Sequence, residues 1–330
     1  MLRVKLAACL ATIVLPTTAP ARAADLEQAP AAVESAKVER LDTASILTDP
    51  AIAPETPARP LTDSSDRTSH RLPRDDSATF GERVAAVKWE TVGALAVLTA
   101  TNVRTVAGET GRFRFVDEGY FGRNTGQLGL DKLAHAWNGY IFTDILYKRM
   151  ARRVGGGAKS AWTAAALGMA LQTYGEIYDG FHRSNGFSWQ DMIFNAGGVG
   201  FSVLRHTVPG VADTVDFRTY FVPPERPKGL GDPDRFEKQR FLFALKGSGI
   251  AGVRTTPLRF AELHLGYRAK NFSKTDRQIG LTPERRVFVG VGLNVAELFK
   301  RRTGPVAGVA RSTLEYVQLP YTSAHATVTR

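Results

Sequence analysis

The strongest constraint on this chain is a change of hydrophobic period close to Val208. Upstream, apolar residues recur at helical spacing through residues 82–104, 131–153, 158–179 and 188–206. Downstream, "RFLFALKG", "FAELHLGYRA", "VFVGVGLNVAEL" and "STLEYVQL" place apolar groups at every second position, the period of a strand. Helices followed by strands, rather than alternating with them, predict an α+β fold: a four-helix bundle followed by a small antiparallel β-sheet of four or five strands. In the third strand Val287, Val289, Val291, Leu293 and Val295 share one side. Phe288, Gly290, Gly292 and Asn294 share the other, where the two glycines point to close packing against another backbone or helix.

The chain begins with a processing segment. Arg3 and Lys5 form a positive start, an apolar run extends from Leu6 to Leu15, and Ala21-Arg22-Ala23 is a small-x-small cleavage site. The run is about ten residues, too short to span a bilayer. Residues 1–23 are therefore expected to be a signal peptide, with export to the periplasm or cell envelope. The only cysteine, Cys9, lies within it. "LAAC" outlines a lipoprotein cleavage box, but too few residues precede it to form an apolar run, so ordinary cleavage after Ala23 is expected. The mature chain then has no thiol for disulfides or metal.

Residues 24–79 are rich in Ala, Pro, Thr, Ser and Asp and lack sustained periodicity, which predicts a disordered leader. Residues 80–207 are then the helical bundle, and 208–330 a β-rich part packed with it. From Phe80 on there are 34 basic and 21 acidic residues, a balance of +13. A basic exported domain suits anionic lipid, lipopolysaccharide or cell-wall polymer, and a solvated basic surface has the same composition. Nucleic acid is excluded as a partner by the compartment and by the absence of a recognised binding motif.

Helix signals bound the segments. Asp131 stands in the first turn of the second helix, and "RRVGGG" closes it with basic residues at the negative end of the dipole. Ser188 of "SWQD" can cap the fourth, with Asp191 returning the bond. If all four helices crossed a membrane after a cleaved signal, the basic connection "YKRMARR" would lie outside, against the positive-inside rule. A periplasmic bundle is expected instead, either peripheral to a membrane or embedded in it.

The helices also carry ionisable groups where a core would be expected. Asp131, His135 and Asn138 share one face of the second helix, and Gln172, Glu176 and Asp179 approach the end of the third. Asp191 and Asn195 open the fourth. A short glycine turn makes the second and third helices antiparallel. Asp131, Lys132, His135, Glu176, Asp179, Asp191 and Asn195 can thus converge at one end of the bundle. Three readings remain open: a buried network that specifies helix register, a site for a polar ligand or lipid head group, and metal ligation or acid–base chemistry by His135 with Glu176 and Asp191. No catalytic residue, metal set or cofactor is assigned.

"DKLAH", "YGEIYDG", "SWQDMIFNAGGVG", "LGYRAKN" and "LEYVQLP" together resemble the bacterial family of unknown function numbered 2279, periplasmic lipoproteins, over about residues 129–320. The helical part is also similar to VanZ-type membrane proteins linked to glycopeptide-antibiotic resistance, which share the DKxxH segment and a later D-x-x-x-N. These resemblances imply an envelope location and the polar cluster, without an established activity. The expected role is a non-catalytic envelope component that binds or supports lipid or wall material. The alternative is an enzyme acting on a lipid or wall precursor through the cluster.

Overall fold

The computed structural model describes residues 76–106, 109–122, 125–221, 236–300, 302 and 304–328. The signal peptide and nearly all of the leader, residues 1–75, lie outside the described residues.

Helix α1 (Phe80–Ala86) opens on a capping box. The Thr79 hydroxyl accepts the Glu82 amide, and the Glu82 carboxylate accepts the Thr79 amide at 2.7 Å. Residues 76–79, at the end of the assigned leader, already contact the helices: the Lys159 amide donates to Asp76 at 3.3 Å. The first helix was expected to be continuous over 82–104. It is instead two helices, α1 and α2 (Lys88–Val106), meeting at a 60° bend at Val87. Val87 is fully buried, so the bend turns the chain around a core residue. Helices α3 (Leu130–Val154), α4 (Ala158–Phe181) and α5 (Trp189–Thr207) follow close to the expected bounds. No single described helix is long and apolar enough to cross a membrane. The bent pair 80–103 reaches the necessary length and composition only when its two halves are taken together.

Helix α3 is central. On one side Leu146, Tyr147 and Met150 pack with Val87, Leu98, Ala161, Ala164 and Leu171 of the neighbouring helices. On the other, Trp137, Tyr140 and Ile141 pack on Phe217, Phe241, Ala269 and Tyr316 of the strand-rich part. Burying each such large apolar side chain contributes about 1.5–3 kcal/mol. Helices α3 and α5 cross closely at Gly198, where an added Cβ would overlap the Ala136 carbonyl.

A short parallel pair, β1 (Phe115–Val116) with β2 (Phe187–Ser188), ties the loop before α3 to the start of α5. The main sheet contains β3 (Val215–Phe221), β4 (Gln239–Lys246), β5 (Ala261–Lys270), β6 (Glu284–Leu293), β7 (Val317–Gln318) and β8 (Ser323–Thr327). Its order is β7-β3-β4-β5-β6-β8, with β7 parallel to β3 and all other pairs antiparallel. The expected four- or five-stranded antiparallel sheet is thus a six-stranded mixed one. "STLEYVQL", expected to be a strand, begins with the last three residues of helix α6 (Pro305–Leu314) and a turn, and only Val317–Gln318 pairs with the sheet. Val295 belongs to a short helical turn, so its shared side with the β6 valines ends at Leu293.

The sheet is tightly curled. Tyr220 on β3 and His325 on β8 stand four strand intervals apart, about 19 Å in a flat sheet. Their ring centroids are 5.5 Å apart. Gly290 and Gly292 permit this curl: a Cβ on the first would meet the Ala324 carbonyl and His325, and on the second His264.

Candidate functional site

The cluster forms where the N-terminal ends of α3 and α5 meet the C-terminal end of α4. Gly129, in a left-handed conformation (φ +86°), turns the chain into α3 and sets Asp131, Lys132 and His135 on its first turns. The three-residue turn 155–157 returns α4 antiparallel to α3, which brings Glu176 and Asp179 back beside them. Ser188 accepts the Asp191 amide at 3.2 Å and caps α5. The expected reciprocal bond is absent, because the Asp191 carboxylate turns to Lys132 instead.

Lys132 is the centre. Its side chain is 1 % exposed, and Nζ lies 2.5 Å from Glu118, 2.7 Å from Asp191 and 3.0 Å from Asp131. His135 stands between the next two carboxylates, with Nδ1 3.2 Å from Glu176 Oε1 and Nε2 3.7 Å from Asp191 Oδ1. Of the seven residues named from the sequence, Asp131, Lys132, His135, Glu176 and Asp191 are in mutual contact. The other two sit at the edges. Asp179 accepts a hydrogen bond from Asn185 at 3.0 Å, and Asn195 accepts one from Gln172 at 2.5 Å, one step deeper in the bundle.

Glu118 was not singled out from the sequence. It lies in a loop without periodicity and arrives because β1 pairs with β2, which places it two residues beyond the Val116–Ser188 pairing and directly over Lys132. The only sequence signal was its position in the aromatic and glycine-rich segment before α3.

Five carboxylates face two cations, and the proton affinities follow. Burial pushes the Glu176 carboxyl up to about 8, with Asp191 and Asp179 adding to the rise and His135 opposing it. Burial, with Asp191 beside it, likewise raises Glu118 to about 7. Burial works against the charges on His135 and Lys132, but the surrounding carboxylates outweigh it, bringing His135 to about 9 and raising Lys132 as well. Asp191 goes the other way: His135 and Lys132 overcome its burial and keep it ionised. At neutral pH the cluster therefore holds a neutral carboxylic acid, Glu176, against an imidazolium.

The ligand atoms of His135, Glu176 and Asp191 lie within 4.8 Å of one another, close enough to share a divalent cation. Glu118, Asp131 and Asp191 have the same spacing, but the Lys132 ammonium already serves as their cation.

A second buried network was not singled out from the sequence. Asp144 accepts from Tyr316 at 2.5 Å and contacts His206 at 2.6 Å and Lys148 at 2.7 Å. Glu315 links Lys148 to Arg205, which reaches Asp216 at 2.8 Å. Asp216 also holds Lys246 and Arg218, and Arg218 grips Glu262 inside the curled sheet. Apart from Asp144 and Lys148, four residues apart on α3, and Asp216 and Arg218 on β3, the partners lie on different elements, so local spacing did not announce the set.

No curated protein and no solved structure matches the chain. Residues 117–207 match the family described as "Predicted periplasmic lipoprotein (DUF2279)". The VanZ-type likeness rests on the shared DKxxH and D-x-x-x-N residues alone. The family match spans the whole of the polar cluster, Glu118 included, and through it residues 117–207 are similar to a periplasmic lipoprotein family, which places this protein in the cell envelope.

Proposed function

We propose that this chain is a non-catalytic component of the cell envelope that binds lipid, and that the polar cluster is the latch holding the mouth of its helical bundle together. The observation that carries the reading is the closure of the cluster on itself. Lys132, almost fully buried, is gripped by three carboxylates from the loop, α3 and α5, and Asp191 is shared with His135. Charges arranged in this way select which helix ends meet and leave little free capacity for a substrate. Beside this mouth, Phe115 and Trp189 stack with planes 3° apart while both remain exposed. An exposed Trp, with an apolar ring and a polar N–H, suits the head-group level of a membrane.

The test is lipid analysis of the full chain purified from envelope fractions, beside complementation by Glu176→Gln at matched protein level. Co-purifying lipid and a functional Glu176→Gln support the reading. A stable but inactive Glu176→Gln rejects it.

One observation favours a second reading, an enzyme acting on a lipid or wall precursor. Glu176, neutral at pH 7 and paired with His135, has the proton affinity of a general acid. That reading requires the stable, inactive Glu176→Gln.

A further inference from the structure

The main sheet buries charges on its concave face: Asp216, Arg218, Lys246, Glu262 and His264 pair with one another there, beside an apolar cluster of Tyr220, Leu242, Ala244 and Phe288. Its convex face carries a second set of aliphatic groups. Where helices α3 and α5 cover that face it forms core: Phe217 stacks on Phe243 at 4.7 Å beneath Phe201, and Trp137 meets Phe241. Beyond the helices the same face continues uncovered.

The strand register places Leu245, Leu263, Val291 and Ala324 in one cross-strand row and Phe243, Leu265, Val289 and Ala326 in the next, with Leu293 beyond. Leu263 and Val291 are each 58 % exposed, Leu293 is 59 % and Leu265 is 54 %. No polar side chain interrupts either row. An uninterrupted aliphatic patch over three to four strands exceeds what a monomeric protein leaves facing water without a use.

We propose that this convex face inserts into the acyl region of an anionic lipid leaflet. The proposal rests on the lipid-binding reading above and names the surface that carries it. Three features favour lipid over another protein as the occupant. A convex array of branched aliphatic groups offers no hydrogen-bonding side chain, whereas protein interfaces carry about one hydrogen bond per 100–200 Å². Polar groups inside a curled sheet and apolar groups outside is the arrangement strands adopt against hydrocarbon. Basic residues also flank β6 along the chain: exposed Arg285 precedes Val287, and exposed Lys300 and Arg302 follow the helical turn after Leu293. These are placed for anionic head groups while the aliphatic rows contact the chains.

The experiment is flotation of the full chain with vesicles of phosphatidylethanolamine and phosphatidylglycerol, using wild type, a Leu263→Asn/Val291→Asn double variant and a Val306→Asn control on α6. Because the altered side chains are exposed, the variants should melt close to wild type. Losing two inserted aliphatic groups should weaken partitioning at least ~tenfold, since each contributes about 1.5–3 kcal/mol when buried, and the control should bind normally. A second measurement does not depend on those variants: an environment-sensitive fluorophore on Val291→Cys, with Cys9→Ala, should shift to the blue on vesicle addition, and one on Val306→Cys should not. If wild type floats and the double variant floats equally well, the sheet face is wrong although lipid binding stands. If wild type fails to float at all, both readings fall. A dimer that the double variant dissociates, with no vesicle binding, would assign the face to a second copy of the chain and overturn the proposal.

Discussion

His135 on α3 and Glu176 on α4 face each other with Nδ1 and Oε1 3.2 Å apart, and both hold protons more tightly than free side chains do. Glu176 rises from 4.5 to about 8 and His135 from 6.5 to about 9. A group whose folded pKa is raised contributes stability that is complete below its unfolded value and lost as pH climbs through the folded one. The melting temperature should therefore fall by several degrees between about pH 4.5 and 9, with Glu176 contributing from 4.5 to about 8 and His135 from 6.5 to about 9. Glu176→Gln, which imitates the neutral acid in both states, should match wild type at about pH 4.5, exceed it near pH 7 and flatten this slope. A wild-type melting temperature that is level across that window would contradict the assignment.

Replacing Glu176 by alanine is a different experiment. It leaves His135 without the partner on its Nδ1 side and opens a gap at the end of α4. A cost of about 1–3 kcal/mol is expected, measurable by urea unfolding at pH 7. No loss, or a gain, would mean that the carboxyl sits in an open cleft.

Lys132→Met should be more damaging. It keeps the aliphatic stem but leaves Glu118, Asp131 and Asp191 facing one another without their cation. Removing one partner from a buried set of this kind costs about 3–5 kcal/mol. Adding Asp191→Asn should recover part of the loss, and a double-mutant cycle in chemical denaturation would measure how much.

Two adjacent glycines of α5 make a controlled comparison. Gly198→Ala drives a methyl group into the Ala136 carbonyl across the α3–α5 crossing and should cost about 1–3 kcal/mol. Gly197→Ala enters open space and should stabilise the helix by up to ~1 kcal/mol. Calorimetry of the two variants should give shifts of opposite sign.

Inside the sheet, Asp216→Ala removes the carboxylate shared by Arg205, Arg218 and Lys246, leaving Arg205 with Glu315 and Arg218 with Glu262. A loss of about 3–5 kcal/mol is expected, with hydrogen exchange accelerating in both β3 and α5 because Asp216 joins them. Acceleration confined to β3 would show that the two halves are not coupled through this carboxylate.

Much of the bundle was legible because its determinants are local. Asp131 and His135 share a face because four residues make slightly more than one helical turn. Ser188 caps α5 through its own third neighbour, and a three-residue turn leaves α4 no choice but to run back along α3. From these the convergence of His135, Glu176 and Asp191 follows. Glu118 did not follow, because a loop residue takes its place from a pairing between strands 72 positions apart, and loop composition carries no register. In the sheet, alternation located β4, β5 and β6 but could not say which side would be inside, since both sides of β6 are largely apolar or glycine. Only the curl decided it, turning Phe288 and the glycines inward and leaving the valines out. Strand β3 was hidden for the related reason that Asp216 and Arg218 read as solvent-facing charges until partners on α5, β4 and β5 are folded against them. Short-range spacing determines the helices and their caps; the pairing of distant charges and the curvature of the sheet exist only once the chain has closed on itself.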